Sequence, residues 1–342
     1  MHLSFKKIAL SISCVLAFST SFAANAEEIN IYTTREPGLL NTLLEEYTAK
    51  TGVQINTVFI KDGLAERVQS EGKNSPADIL MTVDFAKLID LTEQGLTQAI
   101  DSEVLRNSVP AHLRDANNHW FALSMRARVL YTVKDGGLKA ITYEELSDPA
   151  WKGKICIRSG QHSYNNALIA HLIAKHGEAW TEQWLAGVKN NLARKAGGGD
   201  REVARDIMGG LCDIGLANSY YVGLMRSGAG GPDQVKWGEA INVILPTFKD
   251  SGGTHVNISG AGVAVHSPNK DAAIKFLEFL VSDEAQTIYA QANYEYPIRA
   301  DIPVDPLIQA LGTLKVDLMP LTEISSYRKR ASELVDKVGF DN

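Results

Sequence analysis

The stretch Glu28-Ile29-Asn30-Ile31-Tyr32-Thr33-Thr34-Arg35-Glu36-Pro37-Gly38-Leu39-Leu40-Asn41-Thr42-Leu43-Leu44-Glu45-Glu46-Tyr47-Thr48-Ala49-Lys50-Thr51-Gly52-Val53-Gln54-Ile55-Asn56-Thr57-Val58-Phe59-Ile60 decides the fold. Glu28 to Tyr32 alternates as a short strand. Gly38 to Lys50 has apolar residues at helical spacing and stops before Gly52, and Val53 to Ile60 alternates again. This β-α-β opening continues with a charged helix over Leu64 to Glu71, a buried strand over Asp78 to Thr82 and a helix over Phe85 to Gln94. Trp120 to Val133 is then rich in strand formers. Alternation of this kind predicts a mostly parallel sheet with helices on both faces, and ligands in the crevice beyond the carboxyl ends of the strands.

A second run of the same type begins at Trp151. It predicts a strand over Lys154 to Arg158, helices over Asn165 to His176, Glu182 to Asn190 and Arg201 to Met208, and a strand over Asp213 to Ala217. From Thr254 to Val265 the chain is again extended and apolar, and Asp271 to Leu280 and Ser282 to Gln291 are amphipathic. The expectation is two α/β lobes, 27–126 with 257–306 and 127–256 with 307–342, crossed by Ala127 to Val133 and His255 to Ala261. No internal repeat or low-complexity linker occurs, so the hinge is expected to be short strands rather than a tether.

Lys6 and Lys7 precede an apolar run from Ile8 to Phe22, and Ala24-Asn25-Ala26 offers small residues for cleavage. This reads as a signal peptide cut after Ala26, sending the chain to the periplasm; the run is short for a membrane span. Cys14 lies inside it, in a poor lipobox. Losing Lys6 and Lys7 takes the formal net charge from −6 to about −8. Basic clusters interleaved with aromatics do not occur, which argues against a nucleic-acid partner. Cys156 and Cys212 remain, an even pair in an oxidising compartment and thus a disulfide candidate closing a loop of about 56 residues. Two buried thiols are the alternative.

Each cysteine stands eight residues before a tyrosine that follows a strand. Asn218-Ser219-Tyr220-Tyr221-Val222-Gly223 sets two phenols directly after one strand. If they open a helical turn, about 100° apart, both oxygens reach one ligand; on a strand they would point to opposite faces. One core and one surface tyrosine is the plainer alternative. Tyr164, in Ser159-Gly160-Gln161-His162-Ser163-Tyr164-Asn165, likewise lies where a strand gives way to a helix, with Ser163 or Asn165 available as a cap. Three phenols at crevice positions suggest a hard trivalent cation. Ca²⁺ or Mg²⁺ would be met by carboxylates and carbonyls, whereas three phenolates neutralise Fe³⁺.

Arg126 and Arg128 lie two apart on a strand and so share a face. A guanidinium fork pairs bidentately with a small planar anion such as carbonate or bicarbonate, which would complete the metal's coordination; a salt bridge or a solvated pair is the alternative. Other stretches are plainer. Gly197-Gly198-Gly199-Asp200 lacks the Lys-Ser/Thr of a P-loop and reads as a turn before a helix. His162, His171 and His176 do not make an HExxH spacing, and His171 is expected to face solvent or core. Asn257-Ile258-Ser259-Gly260 is not a nucleophile elbow.

Arg158-Ser159-Gly160 with Tyr164-Asn165, Gly198-Gly199-Asp200-Arg201, Asn218-Ser219-Tyr220-Tyr221, Thr254-His255 with Asn257-Ile258-Ser259-Gly260, and His266-Ser267-Pro268-Asn269-Lys270 together resemble the periplasmic ferric-iron-binding proteins of ABC importers. The resemblance runs over nearly the whole mature chain. It implies a type II periplasmic-binding-protein fold, as in transferrin lobes, with each lobe a mixed sheet flanked by helices and two hinge strands between them. It further implies a non-enzymatic protein that binds Fe³⁺ through Tyr164, Tyr220 and Tyr221 with a carbonate at Arg126, and hands it to the importer's membrane permease subunits; a shuttle that must dock on a transporter is expected to be a monomer. Many relatives carry a His-Tyr pair after the first strand. Here Tyr32-Thr33-Thr34-Arg35-Glu36-Pro37 stands instead, as in the subgroup using three tyrosines and an anion, with Arg35 and Glu36 as supporting candidates only. A receptor for a small anion or organic solute, and a secreted α/β enzyme using a tyrosine as acid or base, are the competing readings.

Overall fold

A computed structural model describes residues 27–342 except Pro37 and Leu39; the signal sequence lies outside the described residues. The order of elements is β1 (Glu28–Thr33), α1 (Asn41–Thr51), β2 (Gln54–Phe59), α2 (Leu64–Glu71), β3 (Ile79–Thr82), α3 (Phe85–Glu93), β4 (Thr97–Gln98), α4 (Glu103–Ser108) and β5 (Phe121–Val133). Then follow β6 (Ile155–Cys156), α5 (Ser163–His176), α6 (Glu178–Asn190), α7 (Asp200–Met208), β7 (Ile214–Asn218), α8 (Tyr220–Arg226), α9 (Pro232–Glu239) and β8 (Ile241–Ile244). The chain ends with β9 (Val256–Ala264), α10 (Lys270–Leu280), α11 (Asp283–Asn293), α12 (Pro306–Gln309), α13 (Leu321–Ser326) and α14 (Arg328–Val338). Local chemistry sets several of these ends. Asp84 accepts from the Ala86 amide at the start of α3, Ser102 and Ser282 cap α4 and α11, and Gly52 closes α1 at φ 75°.

The strands run in the order β2-β1-β3-β9-β5-β7-β6, with β4 beside β9 and β8 beside β5. Only β1 with β2, β1 with β3 and β6 with β7 are parallel. The sheet is therefore mixed rather than mostly parallel. The reason is that β5 and β9 are long returning strands rather than members of a βαβ repeat, and each pairs antiparallel with its neighbours.

β5 carries the connection between the two halves. Phe121 to Ala127 pairs with β9, and Arg128 to Thr132 pairs with β7, so one strand changes sheets between Ala127 and Arg128. β9 lies wholly against first-sheet strands. Its approach is held just ahead of it, where the Arg128 amide donates to the His255 carbonyl (3.0 Å) and the Thr254 amide to the Lys315 carbonyl (2.7 Å). All of β5 except Val133 is buried, consistent with a strand covered on both sides.

His171 lies in the core beside that point. Its Nε2 is 3.1 Å from Asp317 Oδ1 and its Nδ1 is 2.9 Å from His255 Nδ1. An ionised Asp317 only accepts, so His171 donates from Nε2 and accepts at Nδ1 from His255, whose Nε2 is left buried and unpaired. Burial holds both imidazoles below the usual histidine pKa. Burial works against the charge of Asp317 as well, but hydrogen bonds from His171, Ser251 and Lys175 outweigh it and hold the carboxyl well below the carboxylate range. All three groups bind protons less readily folded than unfolded, so each contributes stability that declines as pH falls below its unfolded pKa. The melting temperature of the ligand-free protein is expected to drop progressively from about pH 6.5, where unfolded histidine titrates, through about pH 4 for Asp317. His255→Asn, which keeps a donor toward His171 but cannot titrate, should flatten the upper part of that fall in calorimetric melts.

Cys156 in β6 and Cys212 just before β7 form a disulfide with a Cα–Cα distance of 5.9 Å, closing a separation of 56 residues. It ties the two strands whose ends carry the tyrosine-bearing turns. Constraining a loop of that length is worth about 4 kcal/mol in the chain-entropy account. The Cys156→Ala/Cys212→Ala double variant is expected to lose about 2–4 kcal/mol in urea unfolding while remaining folded at room temperature.

Candidate metal centre

β7 ends at Asn218 and α8 starts at Tyr220, leaving only Ser219 between them. Tyr220 and Tyr221 thus open a helix, and their rings lie side by side with centroids 4.1 Å apart. Tyr164 is the second residue of α5, and its hydroxyl lies 3.4 Å from that of Tyr220. The three phenols singled out in the sequence form one half-buried cluster. The α5 cap differs from expectation: His162 Nδ1 accepts from the Tyr164 amide, and its ring packs edge-on against Tyr164. Asn165 is engaged elsewhere, its Nδ2 donating to the carbonyls of Arg158 and Ser159. Burial, with Arg158 nearby, pushes the His162 imidazole down to about 4, leaving it neutral and able to accept.

A buried ion pair holds the cluster from behind. Asp200, the first residue of α7, accepts from Arg128 Nη1 (2.7 Å), Arg158 Nη1 (3.3 Å) and the Asn218 amide (2.7 Å). Arg128 also donates to Asn218 Oδ1 (3.1 Å) and Asn165 Oδ1 (2.6 Å). One guanidinium therefore links α5, α7, β5 and the end of β7. Arg158 lies over the Tyr164 ring at 5.1 Å and Arg201 over Tyr221 at 5.6 Å. Burial raises the Tyr220 pKa well above its ordinary value, and the neighbouring tyrosines raise it further. Burial, with Tyr164 and the Asp200 carboxylate nearby, pushes Tyr221 up to about 12. At neutral pH these two phenols therefore keep their protons.

A second network lies on the first-sheet side. Arg35 donates to both oxygens of Glu295 (2.9 and 3.0 Å) and also to Ser259. Arg126 donates to Ser259 Oγ (2.7 Å) and the carbonyls of Ile258 and Val83, and Ser124 donates to Glu295. Burial disfavours the Glu295 charge, but Arg35 and Arg126 outweigh it and hold the carboxyl below its usual range. Tyr294, next to Glu295, packs against Gly223 about one helical turn past Tyr220, so this network borders the phenol cluster. Glu36 is exposed. Tyr32 points elsewhere, toward Glu71 and Arg67.

The arginine pair departs from the expected fork. The terminal nitrogens of Arg128 serve Asp200, Asn218 and Asn165, and those of Arg126 serve Ser259 and main-chain carbonyls. Each keeps one buried Nε without a partner, as do Arg35 and Arg158. Arg126 and Arg128 are thus left without a free Nε/Nη2 fork, whereas Arg158 donates from Nη1. Arg158 and Asp200 stood in the motifs that carry the resemblance but were given no role in the site, and Glu295 was not quoted at all. Gly197-Gly198-Gly199-Asp200 was read as a turn before a helix, and that turn character, with Gly198 at φ 72°, concealed that it delivers the central carboxylate. Among the described residues no three His, Cys, Asp or Glu side chains are grouped to hold a metal ion.

Residues 74–315 match the bacterial extracellular solute-binding protein family, and the chain belongs to it. It is thus a solute-binding transport protein and not an enzyme. It is 40% identical to iron uptake protein A1 of Synechocystis sp., over 92% of this chain and 88% of that one. Among solved structures it resembles a Bordetella ferric binding protein (61% identity, TM-score 0.89, covering 92% of this chain and 100% of that one). It also resembles the Mannheimia haemolytica ferric iron-binding protein A in an open conformation (42% identity, TM-score 0.88, covering 93% and 100%). The fold is the type II periplasmic-binding-protein fold of these neighbours.

Removing the central carboxylate leaves Arg128 buried without its counter-charge. Asp200→Ala is expected to cost about 3–5 kcal/mol in urea unfolding. Arg201→Ala, which removes only the cation beside Tyr221, should stay within about 1 kcal/mol of the parent protein.

Proposed function

We propose that this chain is a periplasmic carrier that sequesters Fe³⁺ between its lobes through Tyr164, Tyr220 and Tyr221 and delivers it to the membrane permease of an ABC importer. The observation that carries this reading is the convergence of three phenol-bearing positions from two helix starts, with the Tyr164 and Tyr220 hydroxyls 3.4 Å apart. Phenolate is a hard oxygen donor, and three of them balance the charge of a trivalent cation. The arginines over Tyr164 and Tyr221 favour the ionised phenols once the metal is bound. The ferric-binding names of the relatives agree with this chemistry, as does the leader, which we read as cleaved after Ala26.

We assign the remaining coordination to a small oxyanion such as carbonate. Fully buried guanidinium Nε–H groups without partners, on Arg126 and Arg128 among others, are donors such an anion would satisfy. The carrier acts as a monomer, and the lobes 27–126 with 257–306 and 127–256 with 307–342 close by bending at the β5 and Thr254-His255 crossings.

Stripped protein titrated with ferric citrate in bicarbonate buffer should develop a broad phenolate-to-iron absorption band that saturates at one iron per chain. Tyr220→Phe and Tyr221→Phe should each weaken binding by more than the roughly 10–100-fold typical of supporting residues, with little change in melting temperature. Arg126→Ala should make binding less dependent on bicarbonate; an unchanged dependence moves the anion to another arginine. A folded protein that stays colourless rules out the iron reading and leaves a receptor for a small anion or organic solute.

A further inference from the structure

Gly223 lies three residues past Tyr220 in α8 and is buried. Its backbone is helical rather than left-handed, so alanine would suit the position better on helix propensity alone. Space explains the glycine. A Cβ at 223 would overlap the Cβ, Cγ and Cδ1 atoms of Tyr294. Those atoms are the root of the tyrosine side chain, and no rotamer moves its Cβ away.

Tyr294 is unusual in its own right. It caps α11 at φ 56°, a left-handed conformation shared among the described non-glycine residues only with Asn118 and Asp135. The following residues hold it there: Glu295 is locked under Arg35, and Tyr296 exchanges both backbone hydrogen bonds with Met125 in β5 (2.7 and 2.8 Å). α11 packs on α1, α10 and β5, whereas α8 packs on α7, α9, α12 and β7. The contact between Gly223 and Tyr294 therefore joins the two groups of elements. It lies about one helical turn from the phenols.

We infer that Gly223 and Tyr294 form the seat on which the lobes close, Tyr294 acting as a fixed stop and Gly223 as the gap that receives it. Both are positioning residues: their contact sets how far the first turn of α8 comes toward Arg35 and Glu295. This inference rests on the metal-binding reading above for its functional consequence, but the contact itself is independent of it.

The test compares the parent protein with Gly223→Ala in three measurements: iron release from the loaded protein to excess EDTA, followed by loss of the visible band; the melting temperature of the metal-free protein; and the radius of gyration by small-angle scattering. Gly223→Ala is expected to form the band, because its tyrosines are intact, but to release iron at least about tenfold faster as the closed population falls. Its metal-free melting temperature should be unchanged or higher, and its radius of gyration larger. Gly223→Ala/Tyr294→Gly, which reopens the gap and suits the left-handed backbone, should restore retention toward that of the parent. Release at the parental rate overturns the inference, and so does a fall in metal-free stability that accompanies faster release. If Gly223→Ala does not fold, Tyr294→Gly alone removes the stop; it is expected to speed release, and parental retention there overturns the inference. Absence of any band in the parent protein rejects the iron reading. The scattering comparison then decides the seat alone, an equal radius overturning it and a larger one supporting it.

Discussion

The ion pair between Arg128 and Asp200 is the constraint on which the site depends. Both side chains are almost fully buried, so neither charge is tolerable without the other. Arg128 stands where β5 leaves one sheet for the other, and Asp200 opens α7. Through Asn165 and Asn218 the same pair reaches the start of α5 and the end of β7, the two places from which the tyrosines project. The pair is thus placed to fix geometry more than to add stability. Replacing it with apolar groups of similar shape could keep the fold yet would release the relative positions of Tyr164 and Tyr220.

The phenol cluster itself works against burial. Ionising Tyr220 or Tyr221 is opposed by desolvation and by negative charge nearby, from Tyr164 and Tyr221 on Tyr220 and from Tyr164 and Asp200 on Tyr221, which is why both hold their protons more tightly than free tyrosine. Arg158 and Arg201 over the rings offset part of that opposition without supplying a ligand. Such a site favours a cation of high charge, since only a strong Lewis acid displaces protons held this firmly at neutral pH. A divalent hard cation would find no carboxylate cage among the described residues.

Periodicity and turn residues made most elements legible. α2 falls on Leu64 to Glu71 as its spacing indicates, and α5, α7, α10 and α11 differ from expectation by a few residues at their ends. The tyrosine cluster was legible because adjacent phenols after a strand have a consequence that depends only on whether a helix follows. Sheet direction was not. Nothing local in Phe121 to Val133 or Val256 to Ala264 says that these strands return antiparallel, because direction is set by partners far away in sequence. The engagement of Arg126 and Arg128 was hidden for the same reason. Their i, i+2 spacing gave a shared face, but Asp200, Ser259 and Asn165, which occupy their forks, come from three distant segments.

The two sides of the site are built differently. On the tyrosine side, the disulfide, the His162 cap of α5 and the Arg128–Asp200 pair all act within one group of elements, so the phenols hold their places whatever the other lobe does. On the other side, Arg35, Ser124, Ser259 and Glu295 form a buried network against the Tyr289 ring, in which the Arg35 Nε keeps no partner. A metal bound first by the tyrosines would therefore meet a prearranged polar wall on closure rather than a second set of flexible ligands. That arrangement would keep the reorganisation required for the proposed capture small, because closure would be a rigid approach of two finished surfaces. On the proposed ligation it would also leave the grip on the metal with one lobe, so that separating the surfaces would expose the cluster to water without dismantling it.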